Sequence, residues 1–410
     1  MESKSINEIL QISESFELPE RLMQILSKDE ERARIFELFL KQESDLSIDW
    51  FTNYFQEEHS NRNNMMQDFT PVALCSLLPN LSKGFKNAAD ICAGTGGLTI
   101  GAWIKEPNAF FYCEELSARA FPLLVFNIAI RNMNALLVRK DVLSGDTFEI
   151  LRLRPGDRFS DISQLKKVPD LPKFEYVMMN PPYSLKFRWN EKVYDSRFSD
   201  YGYPPSQFSD YAFVLTGLNM MQSGGTLCAI LPHGVLFRGN REGIIRKKII
   251  EKQILSAVIG LPENLFLNTN IPVCVTVFQK STDIIFIDAS HTYTKQGKQN
   301  LLESKHIEQI LAAFKMRTNI EKYSHLVKRE ELVKNDYNMN ISRYVDSFEP
   351  DELPDIVETV QEIERLNKEI RQKNRELLMF FNKLCAIGER DSELKKVIEI
   401  WGRMIDESNE

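Results

Sequence analysis

The chain has 410 residues, of which 43% are hydrophobic and 27% are charged, with 18 glycines and 17 prolines. This composition is that of an ordinary globular protein and excludes collagen-like, low-complexity and wholly disordered chains. The formal net charge of −7 disfavours unaided binding to a phosphate backbone, because that binding relies on clustered Lys and Arg.

Residue patterns exclude several further classes of protein. No window reaches the about 18 uninterrupted apolar residues that a membrane-spanning helix needs, and the first residues lack a secretory signal. The six cysteines and five histidines are dispersed without a Cys-x-x-Cys pair, which predicts reduced thiols and no metal centre. We therefore expect a cytoplasmic protein that uses no metal.

Four segments are predicted along the chain. Residues 1–60 carry apolar side chains at helical spacing and no glycine, which predicts a small N-terminal helical module, and a polar linker is expected at 59–67. Residues 61–288 alternate β-rich runs with helical stretches, which predicts an α/β domain with a doubly wound, mostly parallel sheet. Residues 289–346 are predicted to be a mixed extension of that domain, and residues 347–410 a helical tail.

Short β-rich runs and apolar helical stretches define the elements of the predicted domain. The strands are expected at 88–92, 110–113, 176–179, 227–231, 257–260, 273–278 and 284–287. The clearest helices are expected at 117–132 and 210–221, the second ending before Gly224 and Gly225, as helices commonly end at glycine. Two long stretches, 144–173 and 184–209, are expected to be irregular, a length typical of functional or mobile loops.

The tail carries an apolar residue at every seventh position. The repeating residues are Ile356, Ile363, Ile370, Leu377 and Leu384, and the positions four residues further on are Val360, Asn367, Asn374 and Phe381. This pattern predicts a coiled coil in which the two asparagines fix register and partner choice. An amphipathic helix that caps the chain's own domain is the alternative.

A glycine-rich turn, Asp90-Ile-Cys-Ala-Gly-Thr-Gly-Gly97, follows the first predicted strand and precedes an apolar helix. Glycines in such a turn let a ligand approach the backbone closely, although the same turn can serve packing alone. Glu115 ends the next strand, 18 residues after Gly97, where a Rossmann-like fold holds ribose hydroxyls. Glu114 is expected to face the opposite side of the strand.

A second motif, Asn180-Pro181-Pro182-Tyr183, follows the strand at 176–179. Two prolines cannot extend a sheet and force a stiff turn whose carbonyls still accept hydrogen bonds. The Asn180 oxygen and a proline carbonyl form two acceptors that suit an exocyclic NH2 group, and Tyr183 offers a ring for stacking. Alone, the motif could be a proline turn with a packing tyrosine; the glycine-rich turn and Glu115 favour base binding.

These motifs resemble those of amino-methyltransferases that use S-adenosylmethionine. The wider match is to the modification (methyltransferase) subunit of type I restriction-modification systems. It includes residues 67–71, similar to the family's Q-x-F-T-P element, Asp141-Val-Leu143 and Leu231-Pro-His-Gly-Val-Leu-Phe237, within most of residues 60–346. The resemblance implies a Rossmann-like methyltransferase sheet, S-adenosylmethionine as cofactor and N6 of a flipped adenine in DNA as methyl acceptor.

The resemblance also implies roles for individual residues. The cofactor-binding element comprises Gln67, Asp68, Phe69, Thr70 and Pro71, of which the last three would flank the methionine end of the cofactor. The turn beneath that end would be formed by Gly94, Thr95, Gly96 and Gly97, with Asp90 at the strand end. Glu115 would hold the ribose, and Asp141 would accept from the adenine amino group of the cofactor. The target adenine would be bound by Asn180, Pro181, Pro182 and Tyr183.

Two groups of side chains are candidates for contact with DNA. Aromatic and basic residues alternate after Tyr183, as Phe187, Arg188, Trp189, Lys192, Tyr194, Arg197, Phe198, Tyr201 and Tyr203. This mixture suits a loop that grips a strand, although any one ring can instead pack the loop onto the domain. A second basic cluster is predicted either to meet phosphates or to form a solvated helix face, and it comprises Arg238, Arg241, Arg246, Lys247 and Lys248.

No segment after residue 287 is large enough to recognise a base sequence by itself. Together with the net acidity and the heptad tail, this predicts a DNA-specificity subunit as partner. The resemblance implies two copies of this chain per complex, and a restriction subunit is a further candidate partner. Two alternative functions stay open: a methyltransferase of the same fold acting on RNA or on a protein glutamine, and a non-catalytic assembly subunit.

Overall fold

The computed structural model describes residues 3–52, 54, 70–191, 194–266, 271–297, 299–347, 356–383, 393 and 395–401. The chain forms two compact units, residues 1–347 and 348–410. The first unit takes in the predicted helical module, the α/β domain and the mixed extension, and the second contains the predicted tail. The predicted linker at 59–67 lies outside the described residues.

Three amphipathic helices begin the first unit, namely α1 (Ser3–Leu10), α2 (Leu18–Leu26) and α3 (Asp29–Gln42). Their apolar faces do not form a core of their own. Phe36 and Phe39 of α3 pack against Phe126, with ring centroids 4.8 and 4.7 Å apart. Because Phe126 belongs to the α/β domain, the helical module shares one hydrophobic core with that domain.

Eleven strands form a single sheet in the described part of the chain. They are β1 (Asn87–Asp90), β2 (Phe110–Glu115), β3 (Asn134–Lys140), β4 (Thr147–Pro155), β5 (Ser160–Gln164), β6 (Phe174–Met179), β7 (Met221–Pro232), β8 (Leu255–Gly260), β9 (Val273–Phe278), β10 (Ile284–Asp288) and β13 (Ser324–Val327). Their order is β13-β10-β8-β9-β7-β6-β1-β2-β3-β4-β5. All but β4, β9 and β13 run in one direction, so the sheet is mostly parallel. A separate hairpin joins β11 (Thr294–Gln296) to β12 (Gln299–Leu301).

Helices cover both faces of the sheet. They are α4 (Val72–Asn80), α5 (Gly97–Lys105), α6 (Ala120–Ile130), α7 (Asp210–Met220), α8 (Gly234–Phe237), α9 (Asn240–Glu251), α10 (Ser304–Met316) and α11 (Arg329–Lys334). Successive residues of the central strands enter two different cores: Ala88 and Met178 enter one, and Ala89 and Val177 the other. A doubly wound sheet explains why these strands are apolar throughout instead of alternating with polar residues.

The stretch 144–173 is not irregular, contrary to the sequence-based expectation. It contains β4 and β5, which extend the sheet beyond β3 as an antiparallel pair. Basic residues interrupt the apolar pattern of β4, which is why the pattern did not predict a strand. One of them, Arg152, bonds to the neighbouring β3, donating to the Ala135 carbonyl and to Asn134 Oδ1 at 2.8 and 2.6 Å. The stretch 184–209 contains neither helix nor strand among its described residues.

The centre of the sheet positions the site. From β1 the chain proceeds outward through β2 and β3, and it then returns to place β6 and β7 on the other side of β1. The connections that follow β1 and β6 therefore leave the same edge of the sheet in opposite directions. Such a reversal opens a crevice at the carboxyl ends of the strands, where ligands bind in α/β proteins.

The second unit contains one long helix, α12 (Ile356–Lys383). The apolar positions of its seven-residue repeat are exposed, with Ile356, Ile363 and Ile370 at 80, 53 and 56%. Leu384, the last position of the predicted repeat, lies outside the described residues. In the residues that the structure describes, no helix combines the length and apolarity needed to cross a bilayer.

Candidate active site

A cleft that is partly open to solvent lies in the crevice between β1 and β6. Its walls bring together most of the residues proposed from the sequence. They are Thr70, Gly94, Thr95, Gly97, Glu115, Asn180, Pro181, Pro182 and Tyr183, joined by Asp49, Thr52, Cys92 and Ala93. The glycine-rich turn and the Asn-Pro-Pro-Tyr turn therefore face one space.

The glycine-rich turn depends on backbone that other residues rarely adopt. Gly94 and Gly96 have φ angles of +57° and +101°. The Gly96 amide donates to the Ala93 carbonyl at 2.8 Å, and a Cβ at Gly96 would lie only 2.9 Å from Leu124 Cδ1. The turn is thus tight and closely packed. It directs α5, which begins at Gly97, away from the cleft.

Glu115 links the ends of the first two strands. One carboxylate oxygen accepts from the Gly94 amide at 2.8 Å, and the other accepts from the Ser117 amide at 2.7 Å. The residue is 4% exposed and lines the cleft. A carboxylate fixed in this way can accept hydrogen bonds from a pair of vicinal hydroxyls.

Asp90 lies beneath the turn and does not line the cleft. It is fully buried, and Oδ2 accepts from Thr99 Oγ1 at 2.8 Å, whereas Oδ1 has no hydrogen-bond partner in the described chain. Burial raises the pKa of Asp90 to about 7, and the nearby Glu115 carboxylate adds to the rise. The residue supports the turn from inside the core.

The Asn-Pro-Pro-Tyr turn is held by hydrogen bonds on both sides of Asn180. Its Nδ2 donates to Thr70 Oγ1 at 3.0 Å, and its Oδ1 accepts from the Tyr183 hydroxyl at 2.8 Å. The Tyr183 ring is 8% exposed and meets Phe266 edge-on at 6.5 Å. Thr70 of the Q-x-F-T-P element thus contacts the Asn-Pro-Pro-Tyr turn directly.

The start of the following loop is anchored at a strained residue. Ser184 has a φ of +54°, and its amide donates to Asp210 Oδ1 at 2.9 Å. Asp210 is fully buried and pairs with Arg238, which also pairs with Glu242. This network fixes the direction in which the chain leaves the cleft.

Some proposed residues lie elsewhere. Asp141 follows β3 and accepts from the Leu143 amide at 2.8 Å, but it does not line the cleft. Burial is the main cause that raises the pKa of the Cys92 thiol. The charges of Glu115, Asp90 and Glu114 add to the rise, and the charge of Asp141 makes a smaller contribution. Pro71 lines a neighbouring groove between α4 and α10. Gln67, Asp68 and Phe69 lie outside the described residues.

Asp49 and Thr52 line the cleft although sequence reasoning did not identify them. They come from the N-terminal helical module. Asp49 Oδ1 accepts from Asn127 Nδ2 at 2.7 Å, and Oδ2 accepts from the Thr95 hydroxyl. A signal was present in the sequence, because Asn127 is a polar residue within the otherwise apolar and wholly buried α6 and needs a partner there.

The two groups proposed for DNA contact contain both side chains that pack within the protein and side chains that are exposed. Phe187, Trp189, Phe198 and Tyr203 pack in succession with ring centroids 4.5, 4.9 and 5.3 Å apart. Packing therefore accounts for these rings, whereas Tyr194 is 79% exposed. Lys192 lies outside the described residues.

Two members of the second basic cluster, Arg238 and Arg246, have internal partners. Arg246 is 3% exposed and donates to the carbonyls of Tyr337 and Arg238 at 2.8 and 2.9 Å. Arg241 pairs with Glu191 at 2.6 Å on the surface. The cluster is therefore not a single face open to phosphate.

No group of three or more His, Cys, Asp or Glu side chains is placed to hold a metal ion in the described ranges.

The doubly wound, mostly parallel sheet of the first unit, with its glycine-rich turn at the carboxyl end of β1, has the fold of class I S-adenosylmethionine-dependent methyltransferases. A Listeria monocytogenes structure described as such a methyltransferase superposes with a TM-score of 0.51 at 15% identity, covering 76% of this chain and 94% of that chain. The chain itself belongs to the N-6 DNA Methylase family, which matches residues 48–352. The fold and family expected from the sequence are thereby confirmed.

Relatives within this family are named as type I restriction enzyme subunits. The MpnII methylase subunit of Mycoplasma pneumoniae is 28% identical over 333 residues, covering 76% of this chain and 59% of the relative. A type I methyltransferase subunit structure from Streptococcus thermophilus has a TM-score of 0.60 at 34% identity, covering 68% and 59% of the two chains. The chain spans 56 to 59% of the length of three curated relatives that are named type I restriction enzyme methylase subunits.

Proposed function

We propose that the chain transfers the methyl group of S-adenosylmethionine to N6 of an adenine flipped out of DNA. It would act as the modification subunit of a type I restriction-modification complex. The observation that carries the proposal is the single cleft shared by the turn at Gly94–Gly97 and the motif at Asn180–Tyr183. Membership of the N-6 DNA Methylase family and relatives named type I methylase subunits support DNA adenine as the substrate.

The residues of the cleft suit the proposed cofactor. Its lining includes the carboxylates of Asp49 and Glu115 and no Lys, Arg or His among the described residues. This negative lining favours a ligand that carries sulfonium and ammonium charges. Glu115 would hold the ribose hydroxyls of the cofactor, and the turn at Gly94–Gly97 would contact its methionine end. Asp141 would lie towards the adenine of the cofactor. When bound, S-adenosylmethionine supplies a methyl group already activated by the sulfonium charge.

Asn180 would orient the amino group of the target base. Its Oδ1 accepts from the Tyr183 hydroxyl in this structure, and its orientation is fixed by Thr70. We propose that the adenine amino group takes the place of that hydroxyl as donor, with a proline carbonyl of the turn as second acceptor. Two acceptors on one NH2 favour a tetrahedral nitrogen whose lone pair is free to attack.

The target nitrogen is inaccessible within a base-paired duplex, so the base must leave the stack. Tyr183 would then provide the stacking surface, backed by Phe266.

Substitution of Asn180 tests the proposal. Asn180→Ala, assayed in complex with the co-encoded specificity subunit, is expected to lower methyl transfer to duplex DNA by about 10²-fold or more, as for other transition-state hydrogen bonds. Calorimetry should show S-adenosylmethionine affinity within about threefold of wild type, because Asn180 does not belong to the cofactor half of the cleft. Asn219→Ala, at an exposed position of α7, is the matched control. Equal losses of transfer and cofactor affinity would mean that Asn180 is structural.

The same assay separates the alternatives. Methylation of RNA or of a protein glutamine in preference to duplex DNA would favour a different substrate on the same fold. Failure of the wild-type chain to bind S-adenosylmethionine would favour a non-catalytic assembly subunit.

We further propose a DNA-specificity subunit as the partner that recognises the base sequence, two copies of this chain in the complex, and association with a restriction subunit. The exposed apolar positions of α12 support a partner helix on the tail. A chain that modifies chromosomal DNA in this way would work in the cytoplasm.

A further inference from the structure

The N-terminal helical module forms one wall of the cleft. We infer that Asp49 is a positioning residue of the cofactor site. Through Asp49, this module sets the shape of the glycine-rich turn and adds negative charge to the lining of the cleft. The inference rests on the proposed function, since it concerns how the same cleft receives S-adenosylmethionine.

The Asp49 carboxylate accepts hydrogen bonds from two parts of the protein. Within its own segment it caps the backbone, accepting from the Phe51 amide at 3.0 Å and from Thr52 Oγ1 at 2.8 Å. Across the cleft wall it accepts from Asn127 Nδ2 at 2.7 Å and from the Thr95 hydroxyl. One side chain thus joins the module to the middle of the glycine-rich turn.

Thr95 is the residue of the turn that most needs support. It lies between Gly94 and Gly96, and because glycines have no Cβ, the isolated turn could adopt many backbone conformations. Its hydroxyl is held by Asp49 and its carbonyl accepts from Asn127 Nδ2 at 2.9 Å. Fixing both ends of Thr95 orders the turn before a ligand arrives and removes that cost from binding.

The position of Asp49 is itself fixed by a buried arginine. Arg131 is 4% exposed, and it donates to the carbonyls of Leu46 and Ile48 at 2.7 and 2.6 Å. Its guanidinium also lies over the Trp50 ring, 5.4 Å from the centroid. The residues on both sides of Asp49 are therefore docked on α6, and the carboxylate has little freedom to turn away from Thr95.

The charge of Asp49 has a second effect. With Glu115 it makes the lining negative, and it lies at the Thr95 side of the cleft rather than at the ribose-binding side. A carboxylate there favours a ligand whose amino-acid end carries an ammonium group. Asp49 is thus expected to influence the amino-acid end of the ligand and not the nucleoside end.

Asp49→Asn tests the inference, because it keeps the size of the side chain and removes the charge. Calorimetry on the full chain compares S-adenosylmethionine and S-adenosylhomocysteine with 5′-methylthioadenosine, which lacks the amino-acid end. We expect the affinities for the first two to fall at least tenfold and the affinity for the third to stay within about twofold. An unchanged affinity for S-adenosylmethionine, or an equal loss for all three ligands, would overturn the inference.

Thr95→Val provides a second test that does not touch the N-terminal module. It removes the hydroxyl that donates a hydrogen bond to Asp49. It should therefore reproduce the selective loss of affinity for S-adenosylmethionine and S-adenosylhomocysteine. If both residues act through this contact, the double variant should bind S-adenosylmethionine with the same affinity as whichever single variant has the lower affinity. Fully additive losses would contradict the proposed coupling.

Glu37→Gln is the matched control for loss of a contact between module and domain. It removes the Glu37–Arg158 ion pair, which is remote from the cleft lining, and should leave all three affinities unchanged. A similar loss in this variant would show that any weakening of the module lowers affinity, and the specific role of Asp49 would fail. If wild type binds neither S-adenosylmethionine nor S-adenosylhomocysteine, the proposed function fails as well, whereas a failure confined to the variants affects Asp49 alone.

Discussion

Asp90 shows how a single buried acid shapes the turn above it. Its side chain is fully buried at the end of β1, with one oxygen bound by Thr99. A carboxylate there forgoes hydration, which is why its pKa rises to about 7. The residue therefore changes charge in the range in which the protein would be assayed.

This raised pKa predicts a pH-dependent stability. An unfolded Asp has a pKa of about 3.9, so between about pH 4 and pH 7 the folded protein binds more protons at this site than the unfolded chain. The free energy of unfolding should therefore fall as pH rises through that window and level off above pH 7. Relative to wild type, Asp90→Asn should gain on the order of 3 kcal/mol in urea unfolding between pH 5 and pH 8. A difference that does not vary with pH would contradict the raised pKa.

At the residue scale, the sequence predicted those site residues that chain-local motifs carry. The glycine-rich turn and Asn180 directly follow a strand and Glu115 ends one, so their meeting at one edge of the sheet follows from strand order alone. Asp49 could not be predicted in this way, because its partners Thr95 and Asn127 are 46 and 78 residues away in sequence. Contacts between distant modules leave no local spacing to recognise.

Among the elements, the packing of α4 against α5 places the tightest demand on a residue type. A Cβ at Gly101 would lie 2.0 Å from the Cys75 carbonyl oxygen, which is backbone and cannot move aside as a side chain could. The two helices approach closely because Gly101 has no side chain. Since α5 begins at the glycine-rich turn, this approach also fixes the floor of the cleft.

Two glycine-to-alanine substitutions in helices should therefore have opposite effects. Gly101→Ala is expected to lower the free energy of unfolding by about 3 kcal/mol or more, since the helices must separate. Gly243→Ala in α9 meets no atom closer than 3.8 Å and should raise it by about 0.5–1 kcal/mol through helix propensity. Urea unfolding of both variants measures the difference. Similar destabilisation by both would show that helix contact does not set the cost at Gly101.

At the element scale, the sequence predicted seven strands, all of which lie inside the sheet, and it missed β3 inside the sheet as well as β4, β5 and β13 towards its two edges. The runs at 176–179 and 273–278 are almost wholly apolar and lie inside the sheet. By contrast, β4 and β5 carry Arg152 and Asp161 among a few buried residues, because they cover the edge beyond β3. Their pairing, rather than their composition, makes them strands.

The whole molecule divides its tasks between the two units. The first unit contains the cleft, and the second presents the exposed apolar repeat of α12. With a net charge of −7, the chain is poorly suited to hold DNA through its overall charge. A partner bound at the tail would supply both base recognition and part of the attraction to phosphates.

Charge introduced into the repeat should separate assembly from cofactor binding. Ile363→Asp with Ile370→Asp in the full chain is expected to abolish co-purification with the proposed specificity subunit, because two charges would be buried in an apolar seam. S-adenosylmethionine affinity should not change. Gln361→Asp with Gln372→Asp adds the same charge on the polar face of α12 and is the matched control. Retained assembly by the first variant would show that the repeat is not the partner surface.

The docking of the N-terminal helices matters for anyone who wishes to engineer a smaller catalyst. Cutting the chain near residue 60, where composition suggests a boundary, would expose the aromatic rings around Phe126 and remove the Leu46 and Ile48 carbonyls to which Arg131 donates. The remaining fragment would be expected to aggregate, and its glycine-rich turn would lose the hydrogen bond from Thr95 to Asp49. A shortened version has to retain the N-terminal helices α1, α2 and α3. Residues would have to be removed from the C-terminal end of the chain instead.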